Sequence, residues 1–185
     1  MHPTEVRHQP DPSDAITIRP LTRRDFPLLQ TWLNAAHVRR WWGITSAQIE
    51  AKYGPCIDAT APTQVCIIEI HHRPIGIIQS YRHADHPHWD NAIRIPAAAG
   101  IDYLIGEASY IGLGIGSAAI AIFTPRVFAD YPDIDVIVAA PQADNVASRR
   151  ALEKAGFTLV DERKLDSDDP SDAGPSAIYA LNRPD

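Results

Sequence analysis

Two cysteines, Cys56 and Cys66, are all that this chain of 185 residues carries. Neither lies in a CxxC or other metal-spaced motif. No structural zinc and no disulfide framework is expected, and a reducing compartment is the default. Cys66 belongs to the apolar run VCIIEI and reads as a small packed hydrophobe. Basic residues are also short. The chain has 17 Lys and Arg against 23 Asp and Glu, a formal net charge of -6. Non-specific nucleic-acid binding needs a basic face, so nucleic acid is not an expected partner. Such a charge attracts a cationic small molecule, though it also simply keeps a protein soluble. No run of about 18 apolar residues occurs, so no membrane span is expected. The opening MHPTEVRHQPDPSD has no apolar h-region of a secretory signal. The cytoplasm is the expected location.

What is present is globular: 45% hydrophobic residues, 22% charged, and four Trp. The first 14 residues are polar and Pro-rich and read as a flexible N-terminal arm. Residues 15–185 fit one domain. ITIRPLT alternates as a strand does. Phe26, Leu29, Trp32 and Leu33 then recur at helical spacing. A second helical segment is broken at Gly43, with Ser46 expected as its N-cap. TQVCIIEIHH and RPIGIIQSYRH predict an antiparallel hairpin. ADHPHWDNAIRIPAAA reads as a loop. AGIDYLIG is a strand, and EASYIGLGIG a glycine-rich turn. A helix follows, which Pro125 should kink or interrupt. DIDVIVAAP reads as a buried strand. Asn145 to Ala155 predicts a helix closed by Gly156, and two strands end the chain. The order predicts an α+β fold, with a mixed, mostly antiparallel central sheet flanked by helices.

Gly112, Gly114 and Gly116 stand between a strand and a helix. Glycines there let backbone N–H groups converge on an anion, and the helix N-terminus adds positive potential. This predicts a seat for a pyrophosphate. A dinucleotide fingerprint would need its third glycine at Ser117, and a P-loop would need a Lys; both readings fail on position.

The pattern YIGLGIGS resembles the acetyl-CoA signature of GCN5-related N-acetyltransferases, with Ile111 in the usual Gln/Arg place. Asn145 and the helix ending EKAGF resemble that family's second cofactor segment. The resemblance implies acetyl-CoA as co-substrate. It implies cofactor contacts from Leu104 and Ile105, from the turn Tyr110, Ile111, Gly112, Leu113, Gly114, Ile115, Gly116 and Ser117, and from Asn145. TWLNAAHVRRWWG, RPIGIIQSY, AGIDYLIG and GPSAIYALNR are similar to aminoglycoside 6'-N-acetyltransferases. That likeness implies Asp102 as the catalytic carboxylate, and Trp42, Tyr81, Trp89, Asp90 and Asp102 as the substrate side. A carboxylate there can orient the amine and take its proton. A bulge in that strand is expected to splay it and free backbone N–H groups for the acyl donor.

Three positions depart from that pattern. Ala140 and Ala173 stand where acidic substrate ligands are usual, and Leu152 where a Tyr often protonates the leaving thiolate. Solvent can serve instead, since a thiolate is not a very strong base, and Tyr103 and Tyr110 are the side-chain candidates to replace it. One of Trp41 and Trp42 is expected in the core, the other as a pocket wall. His83, His86 and His88 fit no structural zinc spacing, so no metal is expected. The alternative functions are acyl transfer to another amine, such as a siderophore precursor, and CoA binding without catalysis. Either a monomer or a homodimer is compatible with the sequence.

Overall fold

The computed structural model describes residues 15–166 and 174–184. The N-terminal arm and Ala173 lie outside the described residues. Seven strands form one sheet in the order β1-β2-β3-β4-β5-β7-β6. They are β1 (Ile16–Pro20), β2 (Gln64–Ile70), β3 (Arg73–Arg82), β4 (Ala98–Ile105), β5 (Val136–Ala139), β6 (Thr158–Lys164) and β7 (Pro175–Asn182). Every neighbouring pair is antiparallel except β4 with β5. This is the mixed, mostly antiparallel sheet that the order of elements predicts.

Helices cover both faces. On one lie α1 (Phe26–Asn34), α2 (Ala36–Arg39) and α3 (Ile49–Ile57). Leu29, Trp32, Leu33 and Tyr53 from these helices pack with Val65, Ile67, Ile77 and Leu104 from the sheet. On the other lie α5 (Ile115–Asp130) and α6 (Val146–Lys154), whose Ile120, Phe123, Val127 and Leu152 pack against Ile68, Ile78 and Ile101. Cys66 is buried in this second core, as its apolar run predicts. The two cores follow from the period of two along β2, β3 and β4, which sends alternate side chains to opposite faces.

Several local expectations change. The stretch before β4 is not irregular: it carries α4 (Pro87–Ile93), with Pro87 at the start and Ala92 and Ile93 buried. Proline at the first helical position is a start signal that reading the segment for turn residues overlooks. Pro125 does not interrupt α5. The carbonyl of Ala121, which Pro125 cannot serve, accepts a hydrogen bond from the Thr124 hydroxyl at 3.4 Å. Thr45, not Ser46, caps the turn leading into α3, because its own side chain and Gln48 close a reciprocal capping box. The β2–β3 turn is His71–His72, both with positive φ, as a two-residue hairpin loop requires.

The largest correction concerns β4. It pairs with β3 from Gly76–Ile105 to Arg82–Ala99 with no shift of register, so it has no bulge on that side. Its pairing with β5 covers only Ala98–Val136, Ala99–Ile137 and Gly100–Val138. The strands part because β5 stops at Ala139 and the chain turns away at Ala140 and Pro141. Beyond Gly100, β4 has no strand neighbour on that side.

Candidate active site

A cavity of about 480 Å³ opens where β4 and β5 part. Asp102 lies in its wall. Gln79, directly opposite on β3, donates from Nε2 to Asp102 Oδ2 at 2.8 Å. Gln79 is 6% exposed, and its Oε1 has no hydrogen-bond partner among the described residues. An amide in this place therefore serves the carboxylate, since an apolar residue would leave no unpaired oxygen.

The remaining walls are aromatic. Trp42, Tyr81 and Trp89 line the cavity, as the sequence predicts, together with Trp41, Tyr53 and His86. Trp41 and Trp42 are both half-buried; Trp42 also packs against the first core, whose fully buried tryptophan is Trp32, at 1% exposed. Trp42 donates from Nε1 to the Tyr53 hydroxyl at 3.3 Å. Burial pushes the Tyr53 hydroxyl well above its usual range, against the pull of that bond. Tyr81 lies across Gly100, where a Cβ would meet its ring at 2.5 Å. His86 stands edge-on to Tyr81, with centroids 5.1 Å apart, and its Nε2 meets the Thr63 hydroxyl at 3.3 Å. Burial, then the neighbouring His88, push the His86 imidazole down. Burial, only partly offset by Asp90, pushes His83 down to about 4. These imidazoles therefore favour their neutral form. Among the described residues, no group of three His, Cys, Asp or Glu side chains is placed to hold a metal.

Asp90 is exposed and is not among the cavity walls. It follows Trp89 on α4, about 100° round the helix, so Trp89 and Ile93 can face the cavity while Asp90 does not. Leu104 is buried under α1 and α3, away from the cavity. The carbonyl of Ile105 is already engaged by His37 Nε2 at 3.1 Å.

The glycine turn lies on the α5 side of the sheet. Gly112 and Gly114 both have φ +79°, and a Cβ at either would touch nothing within 4 Å. Glycine is required there by backbone conformation, not by crowding. Ile111 and Leu113 are exposed beside it, at 46% and 61%. Gly114 caps α5, so Ile115, Gly116 and Ser117 form its first turn, whose N–H groups have no intrahelical partner. The turn presents donors and an open surface to an anion. Asn145 caps α6, its side chain accepting from Ser148 N at 3.2 Å, and it also lines the cavity. Tyr110 is half-buried against the second core.

Gln79, Tyr53 and Ser148 are cavity residues that the sequence does not single out. Gln79 had a signal: it stands two residues before Tyr81 on one face of a strand. Tyr53 and Ser148 had none, because their place depends on helix packing.

Comparison with known proteins gives these features a family. Residues 22–165 match the model described as acetyltransferase (GNAT) domain. Aminoglycoside N(6')-acetyltransferase type 1 from Klebsiella pneumoniae is 32% identical over 151 residues, covering 78% of this chain and 75% of that protein. Lysine N-acyltransferase MbtK from Mycobacterium tuberculosis is 25% identical over 185 residues, covering 94% and 80%. The structure of AAC(6')-Ib in complex with paromomycin and acetyl-CoA superposes with a TM-score of 0.79 at 30% identity, covering 92% of this chain and 94% of that one. Its complex with coenzyme A and kanamycin gives 0.78 at 29%. With the splayed β4–β5 pair and the glycine-capped helix, these matches show that the chain belongs to the GNAT acetyltransferase family.

Proposed function

We propose that this protein is an acetyl-CoA-dependent N-acetyltransferase whose acceptor is the 6'-amine of an aminoglycoside. The observation that carries the reading is Asp102. Its carboxylate stands in an aromatic-walled cavity where β4 leaves β5, held by Gln79. The 32% identity to an aminoglycoside N(6')-acetyltransferase supports the acceptor class.

Acetyl-CoA supplies an acyl thioester. The residues that fit it are the first turn of α5 with Gly112 and Gly114 for the pyrophosphate, Asn145, and the β4 backbone beyond Gly100 that has no strand partner on its β5 side. Asp102 attracts the ammonium, orients it and accepts its proton, leaving a nucleophilic amine. Gln79 fixes which way the carboxylate faces. Tyr81, Trp42 and Trp89 offer ring faces to the sugar, and Trp and Tyr faces attract cations. The two free cysteines suit a reducing cytoplasm. No helix among the described residues is long and apolar enough to cross a membrane.

The test follows thiol release from acetyl-CoA with aminoglycosides that have or lack a 6'-amine. Turnover confined to the 6'-amino compounds is expected. Asp102→Ala should lower it by about 10²- to 10⁴-fold, the usual contribution of a positioned acid or base. The match to a lysine N-acyltransferase makes a free lysine-type amine the second acceptor to try. Turnover of that amine alone would replace the aminoglycoside reading.

A further inference from the structure

The resemblance places a thiolate-protonating Tyr at position 152, and this chain has Leu there. Leu152 is fully buried in the core beneath α6 and brings no hydroxyl. Four residues earlier, on the same face of α6, stands Ser148. From the facing strand Tyr103 reaches across to it. The Tyr103 hydroxyl lies 2.6 Å from Ser148 Oγ, where either atom can be the donor, and 3.1 Å from the Ser148 carbonyl. Both residues line the same cavity as Asp102.

Tyr103 follows Asp102 directly on β4, so the two side chains leave opposite faces of the strand. Asp102 meets Gln79 on the side of α1 and α3, while Tyr103 packs toward α5 and α6. The glycine turn is on that second side. Where β4 and β5 part, the cavity touches both.

We propose that Tyr103 and Ser148 form a hydroxyl pair that receives the departing sulfur of coenzyme A, replacing the missing hydroxyl at position 152. This rests on the acetyl-CoA reading above. The amine approaches from the Asp102 side, and its lone pair forms the N–C bond. The carbonyl π pair moves to oxygen as that bond forms; when it returns, the C–S bond breaks and its electron pair goes to sulfur. Ser148 Oγ–H donates to that sulfur as charge develops. Tyr103 Oη–H, directed to Ser148 Oγ, strengthens the donor. The sulfur then takes a proton from water, and the surplus protons on nitrogen leave through Asp102 to solvent. Burial pushes the Tyr103 hydroxyl well above its usual range, so it keeps its proton and remains a donor. The N-terminal end of α6, close to Ser148, adds to the stabilisation.

The test needs no acceptor. Coenzyme A is titrated with pH while bound to the full chain, and its thiolate is followed by ultraviolet absorbance. The bound thiol in the wild-type protein is expected to ionise about tenfold more readily, roughly one pH unit lower, than in Ser148→Ala. Tyr103→Phe should lie between them, and Ser148→Thr should keep the wild-type value. Affinity for coenzyme A should fall by no more than about tenfold, because a single neutral contact is lost. If the thiol titrates alike in wild type, Ser148→Ala and Tyr103→Phe, all with coenzyme A bound, the pair has no such role. Should Ser148→Ala not fold, Tyr103→Phe keeps the ring and decides alone. Failure of the wild-type protein to bind coenzyme A is seen in the same titration; it would overturn the acetyl-CoA reading and the pair with it.

Discussion

Gly100 shows how one missing side chain shapes the acceptor side of the cavity. Tyr81 lies flat across it because there is no Cβ to meet. Gly100→Ala should push the ring away, raising KM for the amine several-fold while leaving KM for acetyl-CoA near its wild-type value; steady-state kinetics with each substrate varied would check the split. His83 makes a different prediction. It is 2% exposed and faces Asp90 and His86, and burial holds it near 4 in the folded chain, against 6.5 when unfolded. Between those values the unfolded chain binds the extra proton, so stability falls as pH drops from about 6.5 toward 4. The difference is on the order of 3 kcal/mol. His83→Phe should flatten this part of the curve, as denaturant midpoints measured from pH 7 to pH 4 would show.

The first helical segment is anchored by charge as well as by apolar burial. Arg19 on β1 grips Asp25 through two bonds, at 2.7 and 2.8 Å, and Glu69 on β2 through one at 2.8 Å. Burial pushes the Asp25 carboxyl up, but Arg19 and Thr22 outweigh it and leave it below the usual range. Removing one partner strands the other charges in a half-buried place. Asp25→Ala should therefore cost about 1–3 kcal/mol, read as a lower urea midpoint with an unchanged slope. At the start of α5, Gly114→Ala would force a side chain into left-handed backbone at a cost of roughly 1–2 kcal/mol. Its signature should be weaker acetyl-CoA binding with unchanged amine affinity once saturated, measured by titration of each substrate.

Across the molecule, the sequence made some features legible and hid others. The strands were readable because period-two alternation and β-branched residues mark them, and glycines and Asn145 punctuate both helices that flank the cofactor side. Asp102 was readable through its place in GID. The cavity's other walls were not. Tyr53 comes from α3 and Ser148 from α6, and helical pattern alone does not say which strand each helix will meet. The parting of β4 and β5 was expected, but for the wrong reason: a bulge was anticipated, whereas β5 simply ends before Pro141. The segment that carries Asp90 was read as a loop, whereas it is a helix.

The unbroken register of β4 against β3 has a further consequence, for how this lineage can vary. A strand's faces alternate strictly, so the parity of the count from Gly100 to Tyr103 decides which side of the sheet receives the carboxylate and which the phenol. A single-residue insertion or deletion here would exchange them, sending acid toward the cofactor and ring toward the acceptor. Substitutions can accumulate around this segment, but its length can change only where a compensating change restores the parity.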